Sequence, residues 1–291
     1  MAESSAKSGS KNHTNKNFLI GLARAFAGAI IFSFPVLMTM EMWSLGFAIE
    51  TYRLVIFMAV AVPLLVGLSY FIGFEDTSCL QDDVIDAFAA YAVGFITSGV
   101  MLFIFNVINF EMSPVELIGI ISIQAVVGAI GAMLAQSQLG ANGENGENGE
   151  KGEREVERKR RNANYFGELF LMLVGAVFLA MNPAPTEEIV LISYKMTDTH
   201  VIILALLTIL LMHAFVYKLE FRGQEKSSEH SLLNLFFRFT IVGYALSLIV
   251  GFYLVWIFGH VDGMSADNVA RIVVVIAFPA ALGASASRLI L

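Results

Sequence analysis

Residues 113–136 read SPVELIGIISIQAVVGAIGAMLAQ, and three properties of this stretch decide the fold class. It opens on a helix start, with Ser113 as cap, Pro114 at the first helical position and Glu116 placed to reach back to the cap amide. From Leu117 onward it carries no charge for twenty residues, which at about 1.5 Å per residue spans the ~30 Å hydrocarbon layer of a bilayer. Gly128, Gly131, Ala132 and Ala135 keep one face small. Small faces let helix backbones touch in lipid, where the hydrophobic effect gives helices little reason to associate.

Segments of the same kind recur on both sides. Eight spans are expected, at roughly 18–43, 52–74, 84–110, 115–138, 165–183, 200–218, 232–259 and 267–289. Hydrophobic residues make up 57% of the 291 positions and charged residues 15%, a balance that suits lipid rather than water as solvent. The fold class is therefore all-α, a polytopic membrane protein. Ten-residue alternation of the β-barrel kind is absent. The arm over 1–17, with Lys7, Lys11 and Lys16, precedes an apolar segment too long for a signal-peptide core, so that segment reads as a retained first helix. Cys79 is the single cysteine, which rules out an intrachain disulfide and a cysteine-cluster metal site.

Thirteen of the eighteen basic residues fall on one side of the eight spans. They are the three arm lysines, six residues from Lys151 to Arg161, and Lys218, Arg222, Lys226 and Arg288. Arg53, Lys195 and Arg271 fall on the other side. The positive-inside rule then puts both termini in the cytoplasm.

The loop over 139–164 divides the chain into two four-helix units, 18–138 and 165–291. It begins with Asn142-Gly143-Glu144 repeated three times and ends in a Glu/Lys/Arg run. This reads as a flexible charged linker. Shifting the first half by 147 lays Gly28 on Gly175, Thr39 on Thr186, Glu41 on Glu188 and Tyr70 on Tyr217. A shift of 152 in the fourth helix lays Gly131-Ala132 on Gly283-Ala284. Units with an even number of helices enter the membrane in the same direction, so the repeats are expected to be parallel, related by an axis along the membrane normal.

Lipid tolerates few of the remaining polar residues. Arg24, Asp86, Glu168 and Arg238 lie within spans, one acid and one base in each half. They read either as structural ion pairs and snorkelling arginines or as a polar path for an ion. At the opposite depth, Thr39-Met40-Glu41 follows Pro35, and Thr186-Glu187-Glu188 follows Asn182-Pro183. Helix breaks at Pro35, Asn182 and Pro183 would free carbonyls beside Glu41 and Glu188, a cation-attracting mouth; the alternative is a pair of ordinary interfacial acids. Gln124, Asn106 and Asn109 are expected to make interhelical hydrogen bonds, and His213 reads as a core histidine or a proton relay.

The run RAFAGAIIFSFPVLMTMEMW, Arg24 to Trp43, together with DDVIDAF, Asp82 to Phe88, resembles an uncharacterised family of bacterial integral membrane proteins, a domain of unknown function of cyanobacterial and rhizobial type. The resemblance covers the helical part and implies an all-helical inner-membrane protein, with no activity and no site residues attached. No nucleotide-binding loop, dinucleotide fingerprint, metal-ligand cluster or nucleophile elbow is present, so no catalytic residue, metal or cofactor is expected and an enzyme ranks third. The expected function is a small-ion channel or transporter for protons or a monovalent cation. The alternative is a non-transporting membrane scaffold or sensor with structural intramembrane ion pairs. The expected partners are the lipid bilayer and the ion, with no nucleic acid; a homo-oligomer is compatible with this composition.

Overall fold

The computed structural model describes residues 2–72, 80–140, 165–223 and 236–290, with side chains over 20–71, 80–135, 165–215 and 236–287. Cys79, the linker over 141–164 and Lys226 lie outside the described residues, as do the side chains of Lys7, Lys11, Lys16, Lys218, Arg222 and Arg288.

Every described element is helical: α1 (Ala2–Leu37), α2 (Met40–Ala48), α3 (Thr51–Ile72), α4 (Leu80–Ile104), α5 (Pro114–Gly140), α6 (Tyr165–Ala180), α7 (Glu188–Lys195), α8 (Asp198–Gly223), α9 (Val242–Ile257) and α10 (Ala266–Ile290). A π-helical turn, Phe236–Ile241, leads into α9. Among the described residues, seven helical segments are long and apolar enough to cross a membrane, the π turn and α9 counting as one. The expected eighth, α6, has 16 residues, which at 1.5 Å each gives about 24 Å, short of the ~30 Å core. Pro183 and Pro185 explain the early stop, since neither can donate a helical hydrogen bond. An irregular turn over 181–187 follows.

The first span also stops short of the expected 43. Thr39 is extended, with φ −92° and ψ 126°, so α1 ends at Leu37 and α2 restarts at Met40. Pro35 sits in the last turn of α1, and two capping bonds seal the break. The Thr39 hydroxyl donates to the Val36 carbonyl at 2.8 Å and the Trp43 indole donates to the Leu37 carbonyl at 2.9 Å.

The last helix of each half, α5 and α10, forms the centre. α1, α2, α3 and α4 pack around α5, and α6, α7, α8 and α9 around α10. The cap read from the sequence is present: the Glu116 carboxylate accepts from the Ser113 amide at 3.0 Å and the Ser113 hydroxyl from the Glu116 amide at 3.3 Å. The small face of α5 receives α1 backbone to backbone. A methyl placed on Gly28 would lie 2.7 Å from the Gly131 carbonyl oxygen and run into Ala135. In the second half, a methyl on Gly175 would meet the Gly283 carbonyl and lie 2.8 Å from the Ser287 Cβ. Aromatic contacts join the halves, with Phe71 stacked on Phe170 at 5.9 Å and Phe32 edge-on to Phe178 at 5.7 Å. Outward faces are apolar as well. Ile202, Ile203, Leu206 and Leu210 of α8 are all exposed, as a lipid-facing helix requires.

Candidate functional site

The two ends of the bundle carry different polar chemistry. At the end where α3 finishes and α4 begins, Asp83 is 5% exposed although it lies in the first turn of α4. Asp86, one turn further along, faces the same neighbour, because residues three apart share a helix face. That neighbour is Ser69 of α3, whose Oγ lies 3.3 Å from Asp83 Oδ1 and 3.4 Å from Asp86 Oδ2. A hydroxyl owns a single proton. It therefore donates fully to one carboxylate at a time while both lie within its reach.

The corresponding helices of the second half meet through different groups. His213 Nδ1 of α8 lies 3.0 Å from Thr240 Oγ1 in the π turn. Beside them the Arg238 guanidinium lies 4.5 Å from the centroid of the Tyr165 ring, and the Tyr165 hydroxyl donates to the Arg238 carbonyl at 2.9 Å. Arg24 and Glu168 are both part-buried, in α1 and the first turn of α6. Ion pairs of Arg53 and Arg271 lie at the opposite end. Sequence reasoning singled out Asp86 but missed Asp83 and Ser69. The signal was the helical spacing of Asp83 and Asp86, which puts two acids on one face at three-residue separation.

At the opposite end, Glu41 lies in the first turn of α2 and Glu188 is the first residue of α7. Both follow a turn capped in the same manner, for Thr186 donates to the Pro183 carbonyl at 2.8 Å as Thr39 does to Val36. Asn182 donates to the Phe178 carbonyl at 3.3 Å, leaving its buried Oδ1 without a partner. The strongest electrostatic cluster here is one the sequence reading passed over. Arg53, 7% exposed, donates to the Trp256 carbonyl at 2.9 Å and pairs with Asp262 at 2.8 Å and Glu50 at 3.1 Å. Its guanidinium lies 5.4 Å from the Trp256 ring centroid and 5.7 Å from that of Tyr52, so it ties α3 to the end of α9. His260, in the loop after α9, is held below its ordinary pKa by burial. The carbonyls of Pro185 and Ala184 and the Glu187 carboxylate oppose that shift.

Between the ends, Thr97, Ser98, Ser122 and Gln124 are buried, and their side-chain polar atoms lack hydrogen-bond partners. The interhelical bond expected of Gln124 is therefore not made. Asn109 instead caps a local turn by accepting from the Glu111 amide at 2.9 Å, and Asn106 adopts a left-handed backbone at φ 58°. Among the described residues no group of three or more His, Cys, Asp or Glu side chains is placed to hold a metal ion.

Residues 21–291 match the model of the family described as "Putative integral membrane protein (DUF2391)", and the chain belongs to that family. The match takes in every helix that packs in the bundle. No curated protein and no solved structure matches the chain.

Proposed function

From the premise of a polytopic member of this membrane family, we propose that the protein moves protons or a small monovalent cation across the bilayer. The observation that carries this reading is the single Ser69 hydroxyl shared by Asp83 and Asp86. Two carboxylates gathered on one hydroxyl at one end of the bundle favour a cation or proton, and ionisable groups at membrane depth commonly mark ion or proton routes. Glu41 and Glu188, at the starts of two short helices on the opposite end, supply the acids of a cation-attracting mouth. Arg24, Glu168 and Arg238 flank the triad end and set the field that an ion meets there.

The proposal includes two parallel four-helix repeats, 18–138 and 165–291, with both termini and the linker over 139–164 on the cytoplasmic side of an inner membrane. Supporting the repeat are the Gly28–Gly131 and Gly175–Gly283 contacts and the paired Thr39 and Thr186 caps, each reproduced at the shift read from the sequence. The basic residues favour this orientation.

The test is flux in proteoliposomes under imposed proton, potassium and sodium gradients. Asp83→Asn and Asp86→Asn should each reduce flux while the protein still inserts and melts normally. Glu41→Gln with Glu188→Gln should alter ion preference. Wild-type flux no greater than that of empty vesicles would refute transport and leave the scaffold reading in its place.

A further inference from the structure

Thr97, Ser98 and Gln124, midway along the first half, are buried without hydrogen-bond partners. Several other buried hydroxyls satisfy themselves on their own helix: Ser33 donates to the Ala29 carbonyl, Thr208 to Leu204, Ser247 to Gly243 and Ser285 to Ala281. That i−4 bond is the ordinary solution for a hydroxyl in a helix interior. Thr97 and Ser98 do not make it, and Gln124, at 0% exposure, leaves both its amide nitrogen and its amide oxygen unpartnered. An unsatisfied amide at membrane depth costs several kcal/mol.

These groups share one seam. Gly94 of α4 packs against the backbone of Ala125 and Ala129 on α5, and a methyl placed on Gly128 would lie 3.6 Å from Ser98 Oγ. Gln124 is one turn before Gly128, on the same face of α5, because residues four apart lie above one another. The antiparallel run of α4 and α5 therefore brings Ser98, with Thr97 beside it, to the level of Gln124. Ser122 lies on the far side of α5. Packing does not demand polarity at such a seam. In the second half the same pair of helices meets where Gly251 packs on Ile276 and Ala277, and the residues one turn along α9 are Leu254 and Val255.

We propose that Gln124, Ser98 and Thr97 form an internal hydration site that binds ordered water between α4 and α5, and that this water is the mid-membrane station of the ion route. The second clause rests on the transport reading; the first does not. The ligand chemistry follows from the donors. Two amide N–H groups, one amide oxygen and two hydroxyls offer both donors and acceptors and no charge, the set that a buried water with two to four polar partners requires. A bare cation would meet too few oxygens. Asp83 and Asp86 lie on the same helix as Ser98, twelve to fifteen residues earlier, so α4 carries both the triad and the hydration site along its length.

Water-edited solid-state NMR of the full chain in lipid bilayers decides the first clause. The Gln124 side-chain amide should receive polarisation from water at short mixing times, and Gln124→Leu should remove that signal while the Gly128 backbone signals persist. Absence of transfer to the Gln124 amide overturns the site. Proton flux in proteoliposomes decides the second. Gln124→Leu should insert and melt at least as well as wild type yet lose flux, whereas Ile276→Leu, at the apolar seam, should retain it. A Gln124→Leu variant with full flux places the water off the route. If wild type carries no flux, the transport reading falls, and the NMR measurement alone still accepts or rejects the hydration site.

Discussion

Arg53 is the best-defined structural anchor between the two halves, and replacing it by Met tests how that anchor works. Met keeps the length and apolar stem of the side chain and removes the guanidinium. The loss is asymmetric. Asp262 and Glu50 have side chains 54% and 59% exposed, so water takes them back, and an exposed ion pair is worth about 0.2–1 kcal/mol. The Trp256 carbonyl, near the C-terminus of α9, loses a charged donor at 2.9 Å. A hydrogen bond to a charged group is worth about 1.5–3 kcal/mol. The contacts over Trp256 and Tyr52 add about 0.5–1 kcal/mol. Allowing for overlap among these terms, Arg53→Met should cost about 2–4 kcal/mol, whereas Asp262→Asn should cost under about 1 kcal/mol. Unfolding in mixed detergent micelles, run as a double-variant cycle, measures both. If Asp262→Asn costs as much as Arg53→Met, the ion pair rather than the helix-end carbonyl holds the joint, and the reasoning fails.

Glycine replacements should separate contact from lipid exposure. Gly28→Ala and Gly283→Ala drive a methyl into a facing backbone and should destabilise by about 1–3 kcal/mol, while Gly21→Ala, with nothing within 4 Å, should be neutral or slightly stabilising in the same unfolding assay. His260 makes stability fall on the acid side. Because burial depresses its folded-state pKa, the unfolded chain binds the proton first, so stability decreases as pH drops through the unfolded value near 6.5. His260→Phe should flatten that acid limb, and an unchanged limb would assign it to other groups. Tags at the two termini and in the linker over 139–164 should report the same side of the membrane in accessibility labelling, and a linker reached only from the opposite side would contradict the four crossings proposed for each half.

Local chemistry made much of this molecule legible in advance. The cap at Ser113–Glu116 and the small faces of α5 and α10 were read from the sequence and form the contacts expected of them. The long apolar spans were read too, because length and composition alone determine whether a helix can cross. The α1 break was misplaced by a few residues. A proline in the last turn does not by itself terminate a helix, and the stop came from the extended Thr39 with its two capping bonds. Asp86 was singled out in advance while Asp83 and Ser69 were not, because which side chains meet depends on which way each helix is turned.

That rotation is what a membrane sequence encodes least. In water, the apolar stripe of a helix points to the core, and its period reveals the inside. In lipid, both the inner and the outer faces are apolar, as the exposed Ile202, Leu206 and Leu210 of α8 show. Only small or polar residues then mark the packed side. Sequence alone therefore determined the long apolar helices, the Ser113–Glu116 cap and the small face of α5. Tertiary structure decided that Asp83 rather than Asp82 turns inward to share Ser69, that Arg53 anchors the end of α9, and that Gln124 is left without a partner beside the Ser98–Gly128 contact. Each depends on the angle at which a neighbouring helix packs, set by steric contact between distant segments and invisible in the apolar period of either one.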